Sequence, residues 1–154
     1  MKKNQLIQSY KKKRDAINAK LAEFKRLKET DYFNELLFCI LTPQSNAKKC
    51  WEAIEQLSRT KTTNKKNIST ILKTRTRFHN NKTKYIIEAR KTWPSIKENL
   101  KNTKVTDLRN YLAENINGIG YKEASHFLRN IGKSNNEVAI LDRHILKNLK
   151  NLGL

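Results

Sequence analysis

The chain has 154 residues, with 33 Lys and Arg against 14 Asp and Glu, a net charge of +19. That length suits one domain with a true core, and that charge favours a polyanionic partner, nucleic acid ahead of an anionic membrane surface; solvated faces in a lysine- and asparagine-rich chain are the plainer account. No apolar run approaches the ~20 residues of a membrane helix and Met1-Lys-Lys-Asn-Gln5 lacks a signal-peptide core, which argues against membrane residence and predicts a cytoplasmic protein.

Taken in order, Leu6, Tyr10, Ile17, Leu21, Phe24 and Leu27 recur at helical spacing over residues 4–28, with lysines on the other face. This is either a basic helix that tracks a nucleic-acid backbone or a packing helix with a wet face. Thr30-Asp31 is a candidate cap for a second helix, Tyr32 to Thr42, apolar nearly all round and so destined for the core. Pro43 ends it, because the residue before proline avoids helical geometry. Ser45 is the expected cap of a third helix, with Ala47, Cys50, Trp51, Ile54 and Leu57 on one face. Cys39 and Cys50 fall on apolar helix positions and read as reduced core residues.

Residues 58–67 are polar and without period, and read as a loop. A short helical piece follows at 68–72. Arg77-Phe78-His79-Asn80-Asn81-Lys82 sets an aromatic between basic and amide groups, which suits a base stacked beside a phosphate; a core aromatic at a helix entry is the alternative. Helix 81–93 should bury Tyr85, Ile86, Ala89 and Trp93 and stop at Pro94. A further helix opens at Val105-Thr106 with Thr106 as cap, turns through Ile116–Gly120, and returns as Tyr121–Ile131, with Gly132 ending it. Lys133–Glu137 is a loop, Val138–Leu141 an extended link, and Asp142 the cap of a last helix. No strand pattern, internal repeat or second domain is visible, so residues 1–154 are expected to form a single all-α domain with a helical hairpin at about 106–131.

Gly118 and Gly120 flank Ile119 and lead straight into a helix. Glycine permits a tight turn and close backbone approach. The unpaired amides and positive dipole end of the helix then offer an anion site. Lys122 lies in its first turn.

The runs Asn117-Gly-Ile-Gly-Tyr-Lys-Glu-Ala-Ser-His-Phe-Leu-Arg129 and Ala139-Ile-Leu-Asp-Arg-His-Ile145 resemble the helix-hairpin-helix DNA glycosylases, most closely the archaeal-type 8-oxoguanine DNA glycosylase/lyases. Arg77 to Arg90 and Leu37-Phe-Cys-Ile-Leu-Thr42 extend the resemblance, which runs from about Asp31 to the last residue. The resemblance implies a bifunctional repair enzyme that flips 8-oxoguanine out of duplex DNA. Lys122 would attack C1′ to form a Schiff base, Asp142 would stabilise the charge gathering on the sugar, and β-elimination would cut the strand. An amine attacks only when neutral, and a lysine gives up its proton more readily near other cations, a helix N-terminus or apolar walls. The resemblance further implies that Gly118 and Gly120 hold a target-strand phosphate, that His144 lies near the DNA backbone, that Gln44 fills the gap left by the flipped base, and that Phe78 stacks on the damaged base. Arg77 and Lys82 are candidate additional DNA contacts.

No cofactor or catalytic metal is expected. His79 and His126 give no ligand pattern, and two cysteines cannot build the four-cysteine iron–sulfur cluster carried by many glycosylases of the superfamily. The family extends well past the point where this sequence stops. Its C-terminal helices, which supply an aromatic on the other face of the base, are expected to be missing: either the gene is truncated, or a second chain supplies the rest, or the pocket works partly open. An exposed apolar face should mark their place. Two other readings stay open: a non-catalytic DNA-binding module that keeps only the hairpin, and a glycosylase for another lesion.

Overall fold

The computed structural model describes residues 3–102 and 104–153. Met1, Lys2 and Leu154, with the expectations attached to the chain ends, lie outside them. The described residues form eight α-helices and no strand: α1 Lys3–Lys25, α2 Tyr32–Leu41, α3 Ala47–Thr60, α4 Lys65–Lys73, α5 His79–Asn102, α6 Val105–Asn115, α7 Tyr121–Asn130 and α8 Arg143–Asn151. Among the described residues no helix is long and apolar enough to cross a membrane.

α2 is the centre. Leu36, Leu37, Cys39, Ile40 and Leu41 on it are buried, and α3, α5 and α7 pack around it. Each wrapping helix contributes an apolar stripe at helical spacing: Cys50, Ala53, Ile54 and Leu57 from α3, Ile86, Ala89 and Ile96 from α5, Ala124, Phe127 and Leu128 from α7. Asn130 Nδ2 donates to Glu35 Oε2 at 2.8 Å and ties the end of α7 to α2. Cys39 and Cys50 are free and buried, as expected of core thiols, and burial pushes both thiols up.

α7 ends in a Schellman turn. Gly132 takes φ +71°, its N–H reaches Arg129 O, and Lys133 N–H reaches Leu128 O. The same glycine lets the end of α1 lie against α7, since a Cβ there would stand 2.6 Å from Lys25 Cα. α1 buries none of its residues and keeps Leu6, Ile7, Tyr10 and Ile17 largely exposed.

Several sequence expectations need correction. α1 stops at Lys25 instead of residue 28. α2 is entered through a 3-10 turn at Glu29–Asp31, and Asp31 makes no side-chain cap. α3 is capped by Asn46, whose side chain accepts from Lys49 N–H at 3.1 Å; the Ser45 hydroxyl is committed elsewhere. The polar stretch 58–67 is largely helical, because α3 runs to Thr60 and Asn64 caps α4 by accepting from Lys66 and Asn67. Thr106 lies inside α6, whose cap position, Lys104, makes no side-chain bond.

The largest miss is Pro94, which sits inside α5 without ending it. Proline lacks the N–H for one helical bond and crowds the carbonyl four residues back. Pro94 is on the exposed side, where water can serve that carbonyl. Beyond it Ile96 and Leu100 are buried, and each such burial returns roughly 1.5–3 kcal/mol. Packing therefore outweighs the local cost.

His126, on α7, packs edge-on to Phe38 with ring centroids 6.0 Å apart. Burial, then the Arg129 and Lys122 charges, pushes its pKa down to about 4 from an ordinary 6.5. The native state therefore refuses a proton that the unfolded chain accepts in this window. The melting temperature should fall as pH drops from 6.5 to about 4, and His126→Gln should flatten that part of the profile. A profile of unchanged slope in the variant would show that His126 is not the group responsible.

Candidate active site

The hairpin is built by α6, the turn 116–120 and α7. Ile116 and Ile119 are buried and pin the turn, and Asn117 Nδ2 donates to Glu88 Oε2 of α5 at 2.8 Å. Gly118 takes φ +88°, and a Cβ there would lie 2.6 Å from Tyr85 Cδ2. No side chain fits either the conformation or the space. Gly120 differs. Its backbone is extended, with φ −99° and ψ −175°, and a Cβ would meet only the Glu123 carboxylate at 3.2 Å. Its value lies in leaving the start of α7 uncovered.

Glu123 Oε2 accepts from the Gly120 N–H at 3.3 Å, and Glu123 Oε1 stands 3.3 Å from Lys122 Nζ. Glycine has no side chain to return the bond, so this is half of a capping box. The amides of Tyr121, Lys122 and Glu123, lacking intrahelical acceptors, face outward with the positive end of the helix dipole. Lys122 thus stands on a helix N-terminus with its side chain about a third exposed.

Asp142 caps α8. Its Oδ1 accepts from His144 N–H at 2.9 Å and Ile145 N–H at 2.8 Å. The Ile145 amide first, then that of His144 and the charges of His144 and Lys122, hold its carboxyl below the usual range, so it is ionised at neutral pH. Lys122 acts on this carboxylate only as the last and smallest of these influences, and its ammonium is ion-paired with Glu123. His144 is exposed beside Asp142. No group of three or more metal-ligating side chains occurs among the described residues.

A pocket of about 210 Å³ opens next to the hairpin turn, between Gln44, Phe78, Tyr85 and Gly118, with Ile40, Pro43, Asn81 and Lys82 completing it. It gathers four residues singled out from sequence. Phe78 is 54 % exposed, which is inconsistent with a core aromatic, and the Arg77 guanidinium lies over its ring at 5.3 Å. Gln44 and Phe78 both take left-handed backbone, at φ 55° and 56°. Such strain costs about 1–3 kcal/mol per residue and gathers at functional sites.

Lys82 corrects the sequence reading. It is 4 % exposed and is not a free phosphate contact. Its ammonium donates to Leu41 O at 2.7 Å, Pro43 O at 2.9 Å and Ser45 Oγ at 2.9 Å, which uses all three hydrogens. It serves the carbonyl end of α2, the favourable end for a cation, and burial lowers its pKa. One sequence signal could have revealed it: Lys82 shares the α5 stripe of Ile86, Ala89, Trp93 and Ile96. Ser45, Tyr85 and Glu123 also escaped the reading of the site.

Comparison with known proteins agrees with this geometry. A family model described as 8-oxoguanine DNA glycosylase matches residues 17–154. The 8-oxoguanine DNA glycosylase/AP lyase of Fusobacterium nucleatum is 40 % identical over 161 residues, covering 97 % of this chain and 74 % of the relative. The crystal structure of the Methanocaldococcus jannaschii 8-oxoguanine DNA glycosylase superposes with TM-score 0.83 at 33 % identity, over 96 % of this chain and 73 % of that one. The Methanocaldococcus enzyme in complex with a 15mer DNA containing 8-oxoguanine gives 0.82 at 33 % identity, over 97 % and 77 %. The chain spans about three quarters of the length of these relatives. With that match, over a fold built on the same hairpin, the chain belongs to the helix-hairpin-helix family of 8-oxoguanine DNA glycosylases.

Proposed function

We propose that the chain excises 8-oxoguanine from duplex DNA and cleaves the strand at the resulting abasic site. What supports this is Lys122 on the open N-terminus of α7, near enough for its charge to act on the ionised Asp142, on the hairpin whose Gly118 borders a pocket walled by Phe78 and Gln44.

The target base leaves the stack and enters the pocket against Phe78. The Lys122 amine, once neutral, attacks C1′ while the C1′–N9 bond breaks and its electron pair leaves with the base. Asp142 offsets the positive charge on the sugar during that step. The nitrogen gives up one proton, the C1′–O4′ bond breaks with O4′ taking a proton to become a hydroxyl, and the nitrogen keeps its other proton in the protonated Schiff base. A proton then leaves C2′ and the C3′–O bond breaks, releasing the 3′ phosphate ester as leaving group. Gln44, held in a strained turn at the pocket edge, occupies the gap in the duplex. Gly118, Gly120, Arg77 and His144 take backbone contacts, which set position without reading sequence. Lyase chemistry on an abasic site needs only Lys122 and its surroundings.

The apolar face of α8 supports the expectation of a further segment or a second chain packing there. Leu141, Ile145 and Leu146 on and beside it are 44–51 % exposed, and α8 buries none of its residues.

Borohydride should trap a covalent adduct with both an 8-oxoguanine duplex and an abasic-site duplex, and Lys122→Gln should abolish both. Asp142→Asn should slow base release by about 10²-fold or more, the scale of losing one electrostatic stabiliser. A wild-type chain that binds both duplexes tightly yet traps neither would leave only a DNA-binding module. Adduct with the abasic duplex alone would restrict the function to lyase.

The two hairpin glycines should separate cleanly. Gly118→Ala should destabilise the fold by about 1–3 kcal/mol, through left-handed strain and the Tyr85 contact, and weaken duplex binding measured by anisotropy. Gly120→Ala should leave the melting temperature nearly unchanged. Equal effects on stability would contradict the assigned roles.

A further inference from the structure

We propose that Ser45 and Lys82 form a clamp that sets the separation of Gln44 from Phe78, and so tune the pocket to the flipped base. The role is one of positioning, and it rests on the pocket reading given under the proposed function.

Two turns distant in sequence carry the walls. One links α2 to α3 and holds Gln44; the other enters α5 and holds Phe78. The Ser45 hydroxyl oxygen lies between them. It accepts from the Arg77 N–H at 2.9 Å and from Lys82 Nζ at 2.9 Å, and its own hydrogen is directed to Pro43 O at 3.4 Å. Lys82 in turn holds Leu41 O and Pro43 O. Ser45 directly follows Gln44, and Arg77 directly precedes Phe78. The bonded atoms are therefore the immediate neighbours of both left-handed residues.

Left-handed backbone at non-glycine residues persists only where the surroundings over-determine it. Here the over-determining contacts are shared between the two turns, so neither wall moves without the other. Capping α2 alone would explain the bonds from Lys82 to Leu41 and Pro43. It does not explain why the ammonium and the Arg77 amide converge on one hydroxyl. Nor does helix capping explain Ser45, since Asn46 caps α3.

The test measures, in single turnover, excision of 8-oxoguanine and β-elimination at a preformed abasic site. For Ser45→Ala the ratio of excision to elimination should fall at least about tenfold, because small misplacements of a reacting partner are costly. Lys82→Met, which keeps an unbranched apolar stem and removes the ammonium, should lower the ratio further, and Ser45→Thr, which keeps the hydroxyl, should restore it. A readout free of catalysis accompanies these: hydrogen exchange at the Arg77 amide should accelerate at least tenfold in Ser45→Ala, with the buried α2 amides unchanged. Unchanged Arg77 exchange, or excision and elimination falling in parallel, would overturn the clamp. Accelerated exchange in a protein whose wild type releases no 8-oxoguanine would overturn the pocket reading, and this role with it.

Discussion

Everything in this molecule answers to the need to cover α2. A helix apolar nearly all round cannot face water on any side, so α3, α5 and α7 wrap it, each offering one apolar stripe. The wrapping determines where the site can lie. α2 ends at Leu41, just before Pro43, and the Leu41 carbonyl is met by Lys82 of α5 and Cys50 of α3. That carbonyl must be satisfied there. Lys82 reaches in from α5 to do so, at the cost of burying an ammonium, a group tolerated in an interior only when fully hydrogen-bonded. The pocket forms around that solution. The need to end a buried helix and the need to shape a pocket are met by the same few atoms.

The positive charge of the chain and the chemistry of the site act on different scales. The net charge of +19 spreads over mostly exposed lysines and arginines, and it supplies salt-sensitive attraction to any polyanion. The site uses few charges, each held in place. Glu123 bridges the Gly120 amide and the Lys122 ammonium, and Asp142 is held by two amides of α8. A carboxylate beside the open amides of α7 means that an incoming phosphate meets a negative neighbour as well as a positive dipole. The net charge acts over the whole surface, while the bonded acids shape the field at the hairpin and the start of α8 alone.

The hairpin, the central helix, the Gly132 stop and the Asp142 cap were all legible in the sequence, because each rests on local rules: a glycine where φ is positive, an aspartate before a helix, an apolar run with no polar face. What was not legible depends on distant partners. Pro94 reads as a stop until Ile96 and Leu100 are seen to be buried beyond it. Ser45 and Asn46 are equally good caps on paper, and only the convergence of Arg77 and Lys82 on Ser45 assigns them. Lys82 is one basic residue among many, and its burial shows only in register with the α5 stripe. The polar stretch 58–67 has no apolar period, so its helical turns, held by caps at Asn64 and by the extension to Thr60, carried no periodic signal. Phe78 and Gln44 were placed in the site by resemblance, and their shared left-handed backbone is a property of three dimensions alone.

The contact of Gly118 with the ring of Tyr85 has a thermodynamic consequence. The ring lines the pocket together with Gly118 and lies against the hairpin backbone there. Hairpin turn and pocket therefore share a single aromatic plate. Were the plate to shift with an occupant of either surface, each occupant would change the affinity for the other by the same factor, since coupling between two binding events is reciprocal. The absence of a single Cβ at Gly118 is what lets the hairpin turn and the pocket share that plate.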